Sequence, residues 1–212
     1  MGLNSGDLCV QGWNCNSLTK DINNHRKFIN KLKNSNESCF ILIDSRLGKE
    51  EEQEFEKLLD GPIYFNSFSS NQRGLVVLLK DSLPAKNIKI ENILEGDYSR
   101  LTFVVNSAKI LNKCCYAPNK DMTNNGTDNY SNIFFKSVFD DSLDSEYDVT
   151  IMVGDFNVAP DHNMDTLGYL HTNNPNYRRF IDRIKSLNCP GVGYCARPLS
   201  VIIIVIFMVI IG

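Results

Sequence analysis

The sequence lacks an excess of positive charge: its formal net charge is -3, where proteins that coat nucleic acid by bulk electrostatics are basic. That argues against a non-specific DNA coat, but not against an enzyme that meets phosphate through a metal and a few local cations. Its seven cysteines are odd in number and include no CxxC pair, which argues against a zinc site or a disulfide framework. Several stand inside apolar runs such as Cys39-Phe40-Ile41-Leu42, as buried thiols of an intracellular protein do. No apolar signal region follows Met1, and Gly6 breaks the myristoylation pattern. Three Asn-x-Ser/Thr tripeptides (at Asn36, Asn125 and Asn129) read as chance in an Asn-rich chain without a leader. There is no internal repeat. Histidine is scarce, at three residues: His25, His162 and His171.

What remains is an ordinary globular composition, 42% hydrophobic and 22% charged over 212 residues, enough for one sizeable domain. Helical spacing of Ile22, His25, Ile29 and Leu32 predicts a helix over 21–33. The run Cys39–Ile43 reads as a strand buried on both faces. Glu50–Leu59 reads as a helix with an acidic start, ended by Gly61-Pro62. Consecutive strands are expected at 63–68, 74–80, 86–94, 100–105 and 109–116. An exposed loop (121–128), a helix (130–143) and a buried strand (149–153) follow. A last helix (175–187) is capped by Asn174 and opened by Pro175. Strands this apolar between helices need cover on both faces, so the expected class is α+β, a layered sandwich with sheets in the middle.

The chain changes character after Pro190. Val201–Ile211 is an unbroken apolar run, short for a membrane anchor and long for a core strand. Its near-uniform Ile and Val favour a third reading, an aberrant end produced by frameshift or mis-splicing. The expected organisation is therefore a domain over 8–189 and an apolar tail over 190–212, with membrane contact through the tail the less favoured reading.

Four clusters place polar side chains where strands emerge, the usual position of function on a rigid scaffold. They are Gly12-Trp13-Asn14-Cys15-Asn16-Ser17, Leu42-Ile43-Asp44-Ser45-Arg46, Cys115-Tyr116-Ala117-Pro118-Asn119 and Gly154-Asp155-Phe156-Asn157. Singly each has a plain explanation: turn residues bonding their own backbone, a helix entry, or a strand closed by proline. Together, in this order, they resemble the endonuclease/exonuclease/phosphatase superfamily. Asn71-Gln72-Arg73-Gly74, Tyr98-Ser99-Arg100 and Asn174-Pro175-Asn176-Tyr177 look like the apurinic-like endonuclease domain of non-LTR retrotransposons. The resemblance covers about residues 8–189.

It implies an α/β/β/α sandwich of the DNase I-like kind, incomplete at the C-terminus, and Mg²⁺- or Mn²⁺-dependent hydrolysis of phosphodiesters. Asn14, Tyr116, Asp155 and Asn157 take the catalytic positions. Asn119 and Arg73 are expected to contact substrate, and Asn16 and Asp44 to face the metal. The implied partner is DNA, nicked to prime a reverse transcriptase domain, and the implied location is the nucleus. Asp44 stands where the family usually has Glu; one methylene shorter, it moves the metal by roughly an ångström and weakens binding. The family's closing Ser-Asp-His segment has no match, which is expected to lower the rate and leave a sheet edge open. Two other readings stay open: a non-cutting remnant that binds DNA or protein, and a phosphatase or phospholipid hydrolase of the same superfamily.

Overall fold

The computed structural model describes residues 8–18, 22–59, 61–69, 72–118, 130–139, 146–157, 194–197 and 200–206, those of 22–27, 194–197 and 200–206 by backbone alone. Two sheets lie face to face. The first, of four strands, contains β1 (Val10–Asn14), β2 (Cys39–Ile43), β3 (Ile63–Asn66) and β4 (Leu75–Leu79) in the order β1-β2-β4-β3. The second contains β5 (Lys86–Leu94), β6 (Tyr98–Val105), β7 (Ala108–Tyr116), β8 (Val149–Asp155), β9 (Tyr194–Arg197) and β10 (Ser200–Ile206). Its order is β5-β6-β7-β8-β10-β9. Helices α1 (Ile22–Asn34), α2 (Lys49–Glu56) and α3 (Tyr130–Val138) complete the described elements.

Alternation along the strands builds the layers. Cys39, Ile41 and Ile43 of β2 meet Leu101, Phe103, Cys114 and Val153 between the sheets. The intervening Phe40 and Leu42 turn outward to Ile29 and Leu32 of α1 and Phe55 of α2. On the far side Cys115 and Met152 pack under Phe134, Phe135 and Val138 of α3. The result is the expected helix–sheet–sheet–helix sandwich, and both faces of β2 are buried because each sheet is covered on both sides. At the outer edge of the second sheet, β5 exposes Lys86, Lys89 and Glu91, charges that discourage strand addition.

The elements follow the sequence reading in order; β3 and α3 end earlier than expected, at Asn66 and Val138, β6 starts earlier, at Tyr98, and three further differences stand out. α2 stops at Glu56 rather than Leu59, because Leu58 and Leu59 donate to Phe55 and Glu56 and tighten the last turn. β1 was not expected as a strand; Val10-Gln11-Gly12-Trp13-Asn14 carries little alternation and is held in register by β2 alone. The segment read as a tail contributes β9 and β10, with β10 running parallel to β8 from Val201↔Val149 to Ile206↔Gly154. The edge of β8 is therefore filled, whereas β1 ends its sheet among the described strands. The helix expected over 175–187 lies outside the described residues. No described helix is long and apolar enough to cross a membrane.

Candidate active site

Strand direction gathers the four polar clusters. β1 runs parallel to β2, and β7 parallel to β8, so their C-terminal ends emerge together within each sheet. The pairings end on Asn14↔Ile43 and on Tyr116↔Asp155. A side-chain bond ties the two sheets at this end: Asn14 Nδ2 donates to Asp155 Oδ2 at 2.7 Å. Asp155 Oδ1 accepts the Asn157 backbone N–H at 2.9 Å, and Asn157 Nδ2 donates to the Ala117 carbonyl at 2.6 Å. Asp155 is thus aimed by Asn14 from the first sheet and by its own turn.

Beyond β2 the two backbones stay pinned to each other. Cys15, Ser17 and Leu18 donate to Ile43, Asp44 and Ser45, extending the β1–β2 pairing past both strands. Asn16, exposed, gives its N–H to Asn14 Oδ1 at 3.0 Å, an Asx turn that fixes the Asn14 amide with its nitrogen toward Asp155. Asp44 is buried, and its carboxylate accepts from Arg46 Nε at 2.9 Å and Arg46 Nη2 at 2.7 Å. Tyr116 stands close enough to Asp44 and Arg46 to feel the charges of both.

The backbone carries strain at the same place. Asn16, Ser17, Asp44, Arg46, Arg73 and Asn157 all have φ between 45 and 83°. Asn and Asp tolerate the left-handed region, but such residues gather where geometry is dictated by function. Burial pushes the Asp155 carboxyl above its usual range, the Asp44 charge adds to the rise, and the bonds from Asn157 and Asn14 oppose it. The Tyr116 hydroxyl is pushed up to about 12 by burial and then by the charges of Asp44 and Asp155, so it is a proton donor at neutral pH.

Arg73, expected at substrate, turns instead to Asp97, with Nη1 2.7 Å from Oδ2. Its guanidinium lies over the rings of Phe68 (4.8 Å) and Tyr130 (5.5 Å), and the Tyr130 hydroxyl donates to Asp97 Oδ2 at 2.6 Å. Asp97 is fully buried, and its carbonyl accepts the Tyr116 N–H at 2.8 Å, so this cluster supports the site from behind. Asn66 does similar work: Nδ2 reaches Leu94 O, Tyr98 O and Ser99 Oγ, while Oδ1 accepts from Gly96 N. Sequence reasoning passed over Arg46, Asp97, Tyr130 and Asn66. Arg46 stood inside a cluster already singled out, but without a sign that it turns back onto Asp44; the others give no local signal. Asn119, His162 and His171 lie outside the described residues, as does the side chain of His25.

The donor set suits a hard divalent cation. Among the described residues no three His, Cys, Asp or Glu side chains converge, but two buried carboxylates, Asp44 and Asp155, feel each other's charge beside neutral amides. Mg²⁺ is typically held by one or two carboxylates, with water and substrate phosphate supplying the rest. The complication is Arg46, which already engages both oxygens of Asp44.

No protein-family model and no curated protein sequence matches the chain. Solved structures do. A 3′ phosphatase, NExo from Neisseria, bound to product DNA hairpin, superposes with TM-score 0.57 at 12% identity, covering 84% of this chain and 71% of its own. An AP endonuclease from Archaeoglobus fulgidus gives 0.57 at 15% identity, with 89% and 72% covered. The AP endonuclease LMAP from Leishmania major gives 0.53 at 15%, with 83% and 65% covered. At such low identity the likeness establishes the fold: the sandwich is the DNase I-like one of the endonuclease/exonuclease/phosphatase proteins.

Proposed function

We propose that this chain is a divalent-metal-dependent phosphodiester hydrolase acting on DNA, an endonuclease of the kind that nicks a target strand for a retrotransposon's reverse transcriptase. The Asn14–Asp155 bond is the observation that carries the reading, because it assembles an oriented carboxylate from two sheets at the mouth of the sandwich. In this reading Asp155 takes the proton of the attacking water, with Asn14 and the Asn157 N–H holding its oxygens in place. Tyr116 donates to a phosphate oxygen, and the neutral amide of Asn157 lies beside it without adding negative charge. Asp44, with Asn16 nearby, would hold Mg²⁺ or Mn²⁺, which supplies Lewis-acid stabilisation of charge on the phosphate and leaving oxygen. Asn119 is a further phosphate contact by the sequence resemblance. The fused reverse transcriptase and nuclear location belong to the same proposal.

A second reading, a remnant that binds without cutting, is favoured by one feature: both oxygens of Asp44 are gripped by Arg46. Nicking of supercoiled plasmid by the full chain, with Mg²⁺ or EDTA and with Asp155→Ala as control, separates the two. Metal-dependent nicking that vanishes in the variant supports the nuclease. A folded chain that retains DNA in a shift assay but never nicks it supports the remnant.

A further inference from the structure

We propose that Arg46 is a built-in counter-cation at Asp44, so that a divalent metal enters this site only in competition with its guanidinium. The inference rests on reading Asp44 as the metal-facing carboxylate, with Asp155 as its charged neighbour, and assigns a role to a residue outside that pair.

The Arg46–Asp44 pair is bidentate, with contacts of 2.9 and 2.7 Å to the two different oxygens. That is the strongest fit between these groups and the one that lysine cannot reproduce. The Asp44 side chain is 5% exposed and that of Arg46 29%, so the pair is screened little on the acid's side. Nor is the approach an accident of a loose surface arginine. Asp44 and Arg46 both have left-handed backbone (φ 57 and 54°), and the turn is clamped by Ser45 N–H to Gly74 O and Arg46 N–H to Arg73 O. The turn delivers the guanidinium back onto the residue two before it.

A carboxylate offers about four lone-pair positions, of which the guanidinium takes one on each oxygen. A cation can still reach Asp44, but it then sits beside a fixed positive charge. With both carboxylates ionised, the three groups sum to one negative charge; without Arg46 they sum to two. Metal affinity is therefore set low by the chain itself, independently of the shortened Asp44 side chain.

The test is Mn²⁺ binding by electron paramagnetic resonance, which reads free Mn²⁺ without any need for turnover. The full chain is titrated as wild type, Arg46→Lys and Arg46→Gln, with circular dichroism melts confirming folding. Arg46→Gln is expected to bind Mn²⁺ about tenfold tighter or more, since removal of a like charge a few ångströms away has an effect of at least that order. Arg46→Lys, which keeps the charge but grips one oxygen, is expected between the two. It decides the matter alone should the Gln variant not fold. Affinity unchanged or weakened in the folded variants overturns the proposal and makes Arg46 a residue that orients Asp44 for the metal. No Mn²⁺ binding by any of the three chains overturns it together with the metal-dependent reading. Plasmid nicking lost in Asp155→Ala sustains that reading whatever Arg46 does.

Discussion

Tyr116 and Asp155 are register partners on neighbouring parallel strands, and Gly154 is what lets those strands close upon each other. A Cβ on Gly154 would lie 2.6 Å from Cys115 Cβ and closer still to the Cys115 carbonyl. Neither can retreat, since Cys115 is fully buried beneath α3. Gly154→Ala is therefore expected to push β8 from β7 and destabilise the fold by about 1–3 kcal/mol. Urea unfolding checks the figure, and a wild-type midpoint would show that the strands shift freely.

Asp155 links pH to stability. Its carboxyl titrates above the usual range in the folded chain, so the fold holds that proton more tightly than the unfolded chain does. The resulting stabilisation is present below the unfolded pKa, about 4, and is lost as pH rises through the folded value. Asp155→Asn lacks this titration. Relative to the variant, metal-free wild type should lose melting temperature as pH rises from about 4, and a constant difference would show that the shift is absent.

The Arg73–Asp97 pair should be costly to break from one side. Arg73→Met leaves a fully buried carboxylate with the Tyr130 hydroxyl as its remaining side-chain partner. About 2–3 kcal/mol is expected, below the range for a wholly buried pair because the arginine is partly exposed. Asp97 also supports Tyr116 through its backbone, so DNA nicking should fall further than the loss of folded protein explains. Parallel denaturation and activity measurements separate the two effects.

The buried thiols should be inert until the fold opens. Burial raises Cys39 to about 12 and holds Cys114 and Cys115 well above the ordinary thiol value. Thiols held this far up leave almost no thiolate to react at neutral pH. Mass spectrometry after brief iodoacetamide treatment should find Cys39, Cys114 and Cys115 unmodified in native protein and modified in urea. Labelling of native protein at Cys39 or Cys114 would show that the sheets separate readily, and at Cys115 that α3 lifts away.

Much of the sandwich was legible because its strands are apolar and separated by polar turns. Cys39–Ile43 and Lys86–Leu94 were placed at their observed ends. β1 was not legible, since Gln11 and Gly12 interrupt its apolar pattern and its strand character comes from pairing with β2. The gathering of Asn14, Asp44, Tyr116 and Asp155 was legible through motif order, and strand direction explains it. What no motif revealed were partners far apart in sequence: Arg73 with Asp97, Asn66 with Tyr98 and Ser99, and Tyr130 with Asp97. Such pairs arise from sheet docking, which leaves no periodic trace in the chain. Arg46 escaped for another reason, because a left-handed turn at Asp44 brings it back to its neighbour and Asp gives no obligatory sign of that conformation.

The bond from Asn14 to Asp155 joins residues 141 positions apart. It cannot form while a fragment folds by itself, since one partner belongs to each sheet. The site therefore exists only once both sheets are formed and docked against their shared core. A nascent or partly unfolded molecule would carry every residue of the site and still be chemically silent, which confines any cutting of DNA to the finished protein.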